Sequence, residues 1–426
     1  MAVVSRLAAG WLVDHLSFIN RCGYETRACP GCPAAGAAAE ARFVFRAELF
    51  LVSQPRIAAP AEPQLRPGGY LLFSLSSRVL FSHGSLVPQK RKRKGVFNQG
   101  ELDALQYHAK VRKLILEGTS QLVQEGLRSG FLHRSAAELS CGGNVVPGHA
   151  GCGLAELCDM AKQFPAGNES DPQAVHVLGE ETSLPELDLL SCVTENNSDC
   201  AKIVVLMGQK YLVPPKSSFL LSDISRLQPL LNYKKKYSVI VVDPPWENKS
   251  VKRSNRYSHL SSWEIKQIPV PVLAAPRCLV ITWVTNRQKH LRFVKDELYP
   301  HWSVKTLAEW QWVKITRAGE FVFPLDSLHK KPYEVLVLGR VQGDSEEALR
   351  TAEDVLPVPE HKLIVSVPCS LHSHKPPLAG VLSEFIDPDA ECLELFARNL
   401  QPGWTSWGNE VLKFQHVDYF TLLQQE

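Results

Sequence analysis

An acidic residue followed by two prolines and a tryptophan, Asp243-Pro244-Pro245-Trp246, is the stretch of this sequence best equipped for chemistry. It follows Tyr237-Ser-Val-Ile-Val-Val242, an apolar, β-branched run that reads as a buried strand. The prolines stiffen the backbone and remove two N–H donors. Such a turn leaves a carboxylate and carbonyl oxygens facing outward beside a flat aromatic surface, an arrangement able to grip a planar base by its amino group. Asp and Pro are also common where strands simply end, so the tetrapeptide alone admits an ordinary turn too.

Other clusters carry matching chemistry. In Ser222-Asp223-Ile224 a carboxylate in a turn can accept from an amino group, or it can cap a short helix. In His372-Ser-His374-Lys375-Pro376-Pro377 a lysine precedes a helix-starting Pro-Pro, where its ammonium can reach a ligand carboxylate. The two histidines there have no carboxylate or cysteine at metal-ligand spacing and read as polar loop residues. Leu393-Glu394-Leu395-Phe396-Ala397-Arg398-Asn399, followed by Gly408-Asn409-Glu410, puts an acid on a strand leading into a turn, which suits ribose hydroxyls or a backbone amide. Basic residues crowd the segment after the Asp243 turn: Lys249, Lys252, Arg253 and Arg256, with Asn255 and Tyr257 among them. Arg287, Lys289, His290 and Arg292 follow later. Cations interleaved with an aromatic beside a reactive turn suit phosphate contacts and stacking; a solvated loop and a polar helix face are the alternatives.

The elements that must position these residues begin near residue 201. Strand-like runs at Cys278–Val284, Val304–Ile315, Glu334–Leu338, Leu363–Val367 and Cys392–Phe396 alternate with helical stretches at Gln288–Leu298 and Leu378–Phe385. That alternation predicts an α/β domain over 201–426 with a mostly parallel sheet, whose ligands gather at the carboxyl ends of strands.

Upstream the texture is uneven. Residues 1–27 read as a short amphipathic segment, helical in spacing, and Asp14 and His15 interrupt it too early for a signal peptide. Residues 28–95, rich in Ala, Pro and Gly, read as largely flexible and close on the basic run Lys90–Lys94, which suggests nuclear import. Residues 96–200 read as a helical N-terminal domain, with helices at about Asn98–Gly118 and Gln121–Leu127. Across 426 residues the net charge is only +3, from 47 Lys+Arg against 44 Asp+Glu, so any nucleic-acid surface must be local. No run of eighteen apolar residues suggests a membrane span. Eleven scattered cysteines fit reduced thiols; Cys22, Cys29 and Cys32, and Cys141, His149, Cys152 and Cys158, lack the paired spacing of a zinc module, and no metal is expected.

Taken in order, Asp-Pro-Pro-Trp, the His-Lys-Pro loop, Glu-Leu-Phe-x-Arg and Trp-x-x-x-Gly-Asn resemble the adenine-N6 methyltransferase family over roughly Phe219 to Phe414. The segments Lys249–Tyr257, Asn286–Arg292, Ala397–Trp404, Ala9–Leu12 and Val96–Glu101 are similar to one branch of it. The resemblance implies a Rossmann-like fold in permuted motif order, with the catalytic turn preceding the Glu-x-Phe strand. It also implies S-adenosyl-L-methionine as cofactor and adenosine in RNA as acceptor, in this branch 2′-O-methylated adenosine of small nuclear RNA. Adenine in DNA, or a non-catalytic RNA-binding scaffold of the same fold, are the alternatives. By motif, Asp223 and Ile224 are expected to hold the cofactor adenine and Lys375 its carboxylate. Asp243, Glu394, Phe396, Arg398, Asn399, Asn409 and Glu410 are expected around the remainder. The chain departs from the messenger-RNA branch in having Arg398 and Asn399 adjacent, without an intervening Pro-His, and it lacks the Gly-x-Gly of many methyltransferase cofactor loops. Catalysis is expected from Asp243, Pro244, Pro245 and Trp246; nucleic-acid contact from Lys249, Lys252, Arg253, Asn255, Arg256, Tyr257 and Arg287. The chain is expected to act as a monomer in the nucleus, the cytosol being the alternative, with its N-terminal region aiding substrate binding.

Overall fold

The computed structural model describes residues 2–26, 41–56, 97–133, 153–161, 175–179, 186–247, 259–327, 330–342 and 357–423. Within the stretch expected to be largely flexible, residues 41–56 are ordered: Ala41–Phe45 is a strand paired with Phe420–Leu423 and with Glu25–Thr26, because it buries Phe45 in a small core with Tyr24 and Phe420. The rest of 28–95, with the run Lys90–Lys94, lies outside the described residues, as do Lys249, Lys252, Arg253, Asn255, Arg256, Tyr257, Cys29, Cys32, Cys141, His149 and Cys152.

Among the described residues, a twelve-stranded sheet organises the chain. Its centre is five parallel strands in the order Ala274–Val284, Tyr237–Val242, Cys392–Leu395, Trp404–Trp407 and Ser217–Leu220. Beyond Ala274–Val284 come Tyr333–Val341, antiparallel to it, then Val304–Lys314 and Leu363–Ser366. The central strands are apolar runs without strict alternation because both faces of the sheet are covered. Ile240 and Val242 face one core with Val280, Val335 and Val337. Val239 and Val241 face the other with Leu279, Ile281, Leu336 and Leu338.

The N-terminal segment is a β-hairpin, Val3–Leu7 with Gly10–Val13, rather than an amphipathic helix. Its second strand runs parallel to Leu363–Ser366 and extends the sheet. A helix could bury only one stripe of this segment, whereas the strand buries Trp11, Leu12 and Val13 together. Helix appears only at His15–Asn20, capped by Asp14. At the opposite edge, Val193–Asn196 and Val175–Val177 also join the sheet, so strands on both sides of residue 201 share one framework.

The two helices expected between 98 and 127 are one, Gln99–Arg128, opened by a capping box of Asn98 and Glu101. Gly118, which reads as a terminator in the sequence, is a contact point: a Cβ there would lie 2.6 Å from Leu363 Cδ1. The glycine lets the helix sit close on the sheet while Val111, Ile115 and Leu122 fill the core. Among the described residues no helix is long and apolar enough to cross a membrane.

Candidate active site

Strand register brings the scattered motifs to one edge. Val242 pairs with Leu395, Leu395 with Trp407, and Trp407 with Leu220. The next residues of these strands therefore emerge side by side: Asp243, Phe396, Gly408, and Leu221 leading to Asp223. The ladder runs one step past the strands, with Asp243 N donating to Leu395 O (3.2 Å) and Ala397 N to Trp407 O (2.9 Å). Close approach of two of these loops needs a glycine at 408, where a Cβ would lie 2.8 Å from Ala397 O. Phe396 takes φ 62°, a left-handed conformation that a bulky residue adopts only when its surroundings impose it.

Asp243 is 8 % exposed and sits between two cations. Arg398 Nη1 donates to its Oδ2 (3.2 Å), and Lys375 Nζ lies 3.6 Å from its Oδ1. Each cation has a second acid: Arg398 Nε reaches Glu410 (3.2 Å), itself bonded to Lys413, and Lys375 donates to Glu334, which also accepts from Lys314. Burial opposes ionisation of Glu334, but the ammonium groups of Lys314 and Lys375 more than offset it and hold its carboxyl below the usual carboxylate range. Burial also works against the Lys375 ammonium, and Asp243 and Glu334 reverse that, raising its pKa above an ordinary lysine's. The same ammonium lies 4.9 Å from the Trp283 ring centroid.

These groups line a cleft of about 470 Å³. Asp243, Pro244, Pro245 and Trp246 form part of its wall, with Thr285, Asn286, Glu334, His372, Lys375 and Arg398. Thr285 Oγ1 and Asn286 Oδ1 are buried polar atoms with no hydrogen-bond partner among the described residues.

Several expected residues have other surroundings. Trp246 is 6 % exposed; its Nε1 donates to Trp283 O (2.8 Å) and its ring packs on His290 and Phe293, so it anchors the turn as part of the wall and offers no free stacking face. Pro244 O accepts from Trp246 N (2.8 Å), which uses one of its two lone pairs. Asp223 caps the 3₁₀ turn Ile224–Arg226 by accepting from Ser225 N (2.8 Å). His374 is core rather than polar loop: it stacks on Phe414 at 4.0 Å and meets His15 of the N-terminal helix at 4.5 Å. Asn399 borders two small cavities behind the cleft, not the cleft itself. Arg287 donates to Glu247 O (3.1 Å), bracing the chain where it leaves the catalytic turn. Glu334 and Lys314 are additions to the expected set. The sequence marks Glu334 only as an acid opening an apolar strand, and its partners come from elsewhere: Lys314 from a neighbouring strand and Lys375 from a loop. Among the described residues no cluster of His, Cys, Asp and Glu is arranged to hold a metal ion.

Glu394 is partly buried and accepts from Gln401 Nε2 (3.1 Å). Burial first, and Asp243 second, push its pKa from an ordinary 4.5 to about 7. The folded state therefore binds this proton more tightly than the unfolded chain. The stability so gained is present below pH 4.5 and is lost as pH rises through 7. Relative to wild type, Glu394→Gln is expected to be more stable by roughly 3 kcal/mol at pH 8. The advantage should largely vanish at pH 5, and urea unfolding at the two pH values checks it. An advantage independent of pH would contradict this burial effect.

Comparison with known proteins agrees with the geometry. Residues 237–410 match the model of the MT-A70 family. Over the whole chain, and 99% of its own length, the human N(6)-adenine-specific methyltransferase METTL4 is 54% identical. The N6-methyladenosine RNA methyltransferase MTA1 of Pyricularia oryzae is 34% identical over 56% of this chain and 62% of its own length. A Caenorhabditis elegans DNA N6-methyl methyltransferase is 35% identical over 50% of this chain and 56% of its own. With the acid-headed turn at the carboxyl edge of a parallel sheet, these similarities establish that the chain belongs to the MT-A70 family, as an adenine-N6 methyltransferase.

Proposed function

We propose that the chain methylates N6 of adenosine in RNA, and specifically of 2′-O-methylated adenosine in small nuclear RNA, with S-adenosyl-L-methionine as cofactor. The observation that carries the chemistry is the Asp243 carboxylate, held at the cleft wall between Arg398 and Lys375. The RNA assignment is supported by the fungal relatives named for RNA and by the basic run from Lys249 to Tyr257. The 2′-O-methyl preference is carried by the branch resemblance of the segments around that run. The order of the motifs, with the catalytic turn ahead of the Glu394 strand, is read as a permuted arrangement.

An adenine amino group is a poor nucleophile because its lone pair is delocalised into the ring. Asp243 accepts one amino proton and the remaining lone pair of Pro244 O the other, which raises electron density on nitrogen as the transition state forms. Trp246 holds the turn in register through its bond to Trp283 O. Thr285 and Asn286, with unpartnered buried oxygens in the same wall, are suited to the base edge. A duplex would hide this edge, so the base enters unpaired or flipped.

The residues present fit the cofactor. Lys375 and Arg398 supply donors for its carboxylate, Asp243 and Glu410 acceptors for its ammonium and hydroxyl groups, and Ile224 and Phe396 apolar surface at neighbouring strand ends. When bound, the cofactor supplies an electrophilic methyl, so alignment accounts for much of the rate.

Nuclear localisation, from Lys90–Lys94, and activity as a monomer belong to the same reading. The N-terminal hairpin in the catalytic sheet, and Arg56 in the cleft wall, support a substrate-binding role for the N-terminal region. DNA is the second reading, favoured by the worm relative's name. The deciding experiment incubates the pure protein and labelled cofactor with structured RNA, 2′-O-methylated RNA and DNA, followed by nucleoside mass spectrometry. Label in N6,2′-O-dimethyladenosine is expected; label in DNA alone would overturn the RNA assignment. Neutralising Lys252, Arg253 and Arg256 together should reduce the salt dependence of single-strand binding by about 0.7 in log–log slope for each phosphate released. An unchanged slope would remove that loop from the interface.

A further inference from the structure

The cleft carries a second feature that the amino-methyl chemistry does not use. Phe323, half-buried, also lines it, together with the exposed Arg56 and Lys330. The Arg56 guanidinium lies 5.8 Å from the Phe323 ring centroid, and the Lys330 ammonium 5.5 Å from it. Arg56 belongs to the N-terminal segment, whereas Phe323 and Lys330 lie far along the chain, between two strands of the sheet. The junction is fixed by backbone: Arg56 N donates to Val322 O (2.9 Å) and Arg317 N to Val52 O (2.8 Å). Among the described residues neither Arg56 nor Lys330 forms an ion pair. The nearby acid, Asp326, is taken by a bidentate bond from Arg112 and by His108.

An aromatic face flanked by two unneutralised cations, in the cleft that holds the reacting carboxylate, has the chemistry of a single-strand platform: ring for base, cations for the phosphates on either side. We propose that Phe323, Arg56 and Lys330 dock the nucleotide that flanks the target adenosine, separately from the Lys249–Tyr257 run. The inference rests on the nucleic-acid reading above and assigns to the N-terminal segment one specific contact. It does not depend on which polymer is methylated.

The test is equilibrium binding of labelled single-stranded RNA and DNA of one adenosine-containing sequence, from low to high salt, to the full chain. Phe323→Ala is expected to weaken binding about tenfold, within the range for losing one stacked base, and Phe323→Trp to preserve it. The double variant Arg56→Gln, Lys330→Gln should lower the log–log salt slope by about 1.4, two phosphate contacts. Thermal unfolding of each variant controls for folding; if Phe323→Ala is destabilised, Phe323→Leu and the cation pair carry the test. Wild-type affinity and slope in folded variants would overturn the proposal. Because the readout is binding, a weakened platform and failure of methyl transfer to RNA are separate outcomes.

Discussion

Asp243→Asn is expected to abolish measurable methyl transfer, by at least about 10²–10³-fold, while the fold persists. The amide keeps the shape of the side chain but removes the negative charge that strengthens its hold on the amino protons as positive charge develops on nitrogen. Removal of one preorganised electrostatic contact of this kind costs about 3–4 kcal/mol of transition-state stabilisation. The fold tolerates the change because each cation keeps another acid: Arg398 retains Glu410 and Lys375 retains Glu334. Single-turnover transfer to an oligonucleotide, alongside oligonucleotide affinity and thermal unfolding, checks it. Near-wild-type turnover would remove Asp243 from catalysis; a collapsed fold would instead make it structural.

Lys375→Met should fail differently, in stability as well as in activity. Its ammonium joins two acids from different parts of the sheet, the buried Asp243 just past one strand and the partly buried Glu334 at the start of another. Removing one partner of a buried charge network costs about 3 kcal/mol, because the acids left behind stay desolvated. Lys314 still holds Glu334 and Arg398 still holds Asp243, which keeps the penalty from being larger. Cofactor affinity is expected to fall at least about tenfold when a charged hydrogen bond is removed. Urea unfolding and calorimetric titration of the cofactor measure the two effects separately. Unchanged cofactor affinity would mean that Lys375 only balances charge.

Much of this site is legible in the sequence because its determinants are local. The β-branched run before Asp243 has one sensible environment, a strand covered on both faces, and the Asp-Pro-Pro-Trp turn has to emerge where it ends. Cys278–Val284 and Glu334–Leu338 announce themselves in the same way. Local pattern misleads where a residue's role is set by what lies across from it. Gly118 has the look of a helix end and is where a continuous helix touches Leu363. His374 has the look of a polar loop residue and is buried against Phe414. The N-terminal stripe has helical spacing, and spacing cannot reveal that Leu363–Ser366 has an edge to be paired.

By itself the sequence determined the apolar strands around the turn, the reactive turn and the kind of chemistry, since backbone stiffness and side-chain charge at Asp243–Trp246 are intrinsic to those residues; the N-terminal strands it did not. Only the tertiary structure decided the partners: Arg398 and Lys375 on Asp243, Glu334 behind Lys375, and Arg56 beside Phe323. Those pairings join residues far apart along the chain. They exist because the register of the sheet carries separate strand ends, and the loops that follow them, to one edge, and because backbone bonds such as Arg56 N to Val322 O join distant loops there.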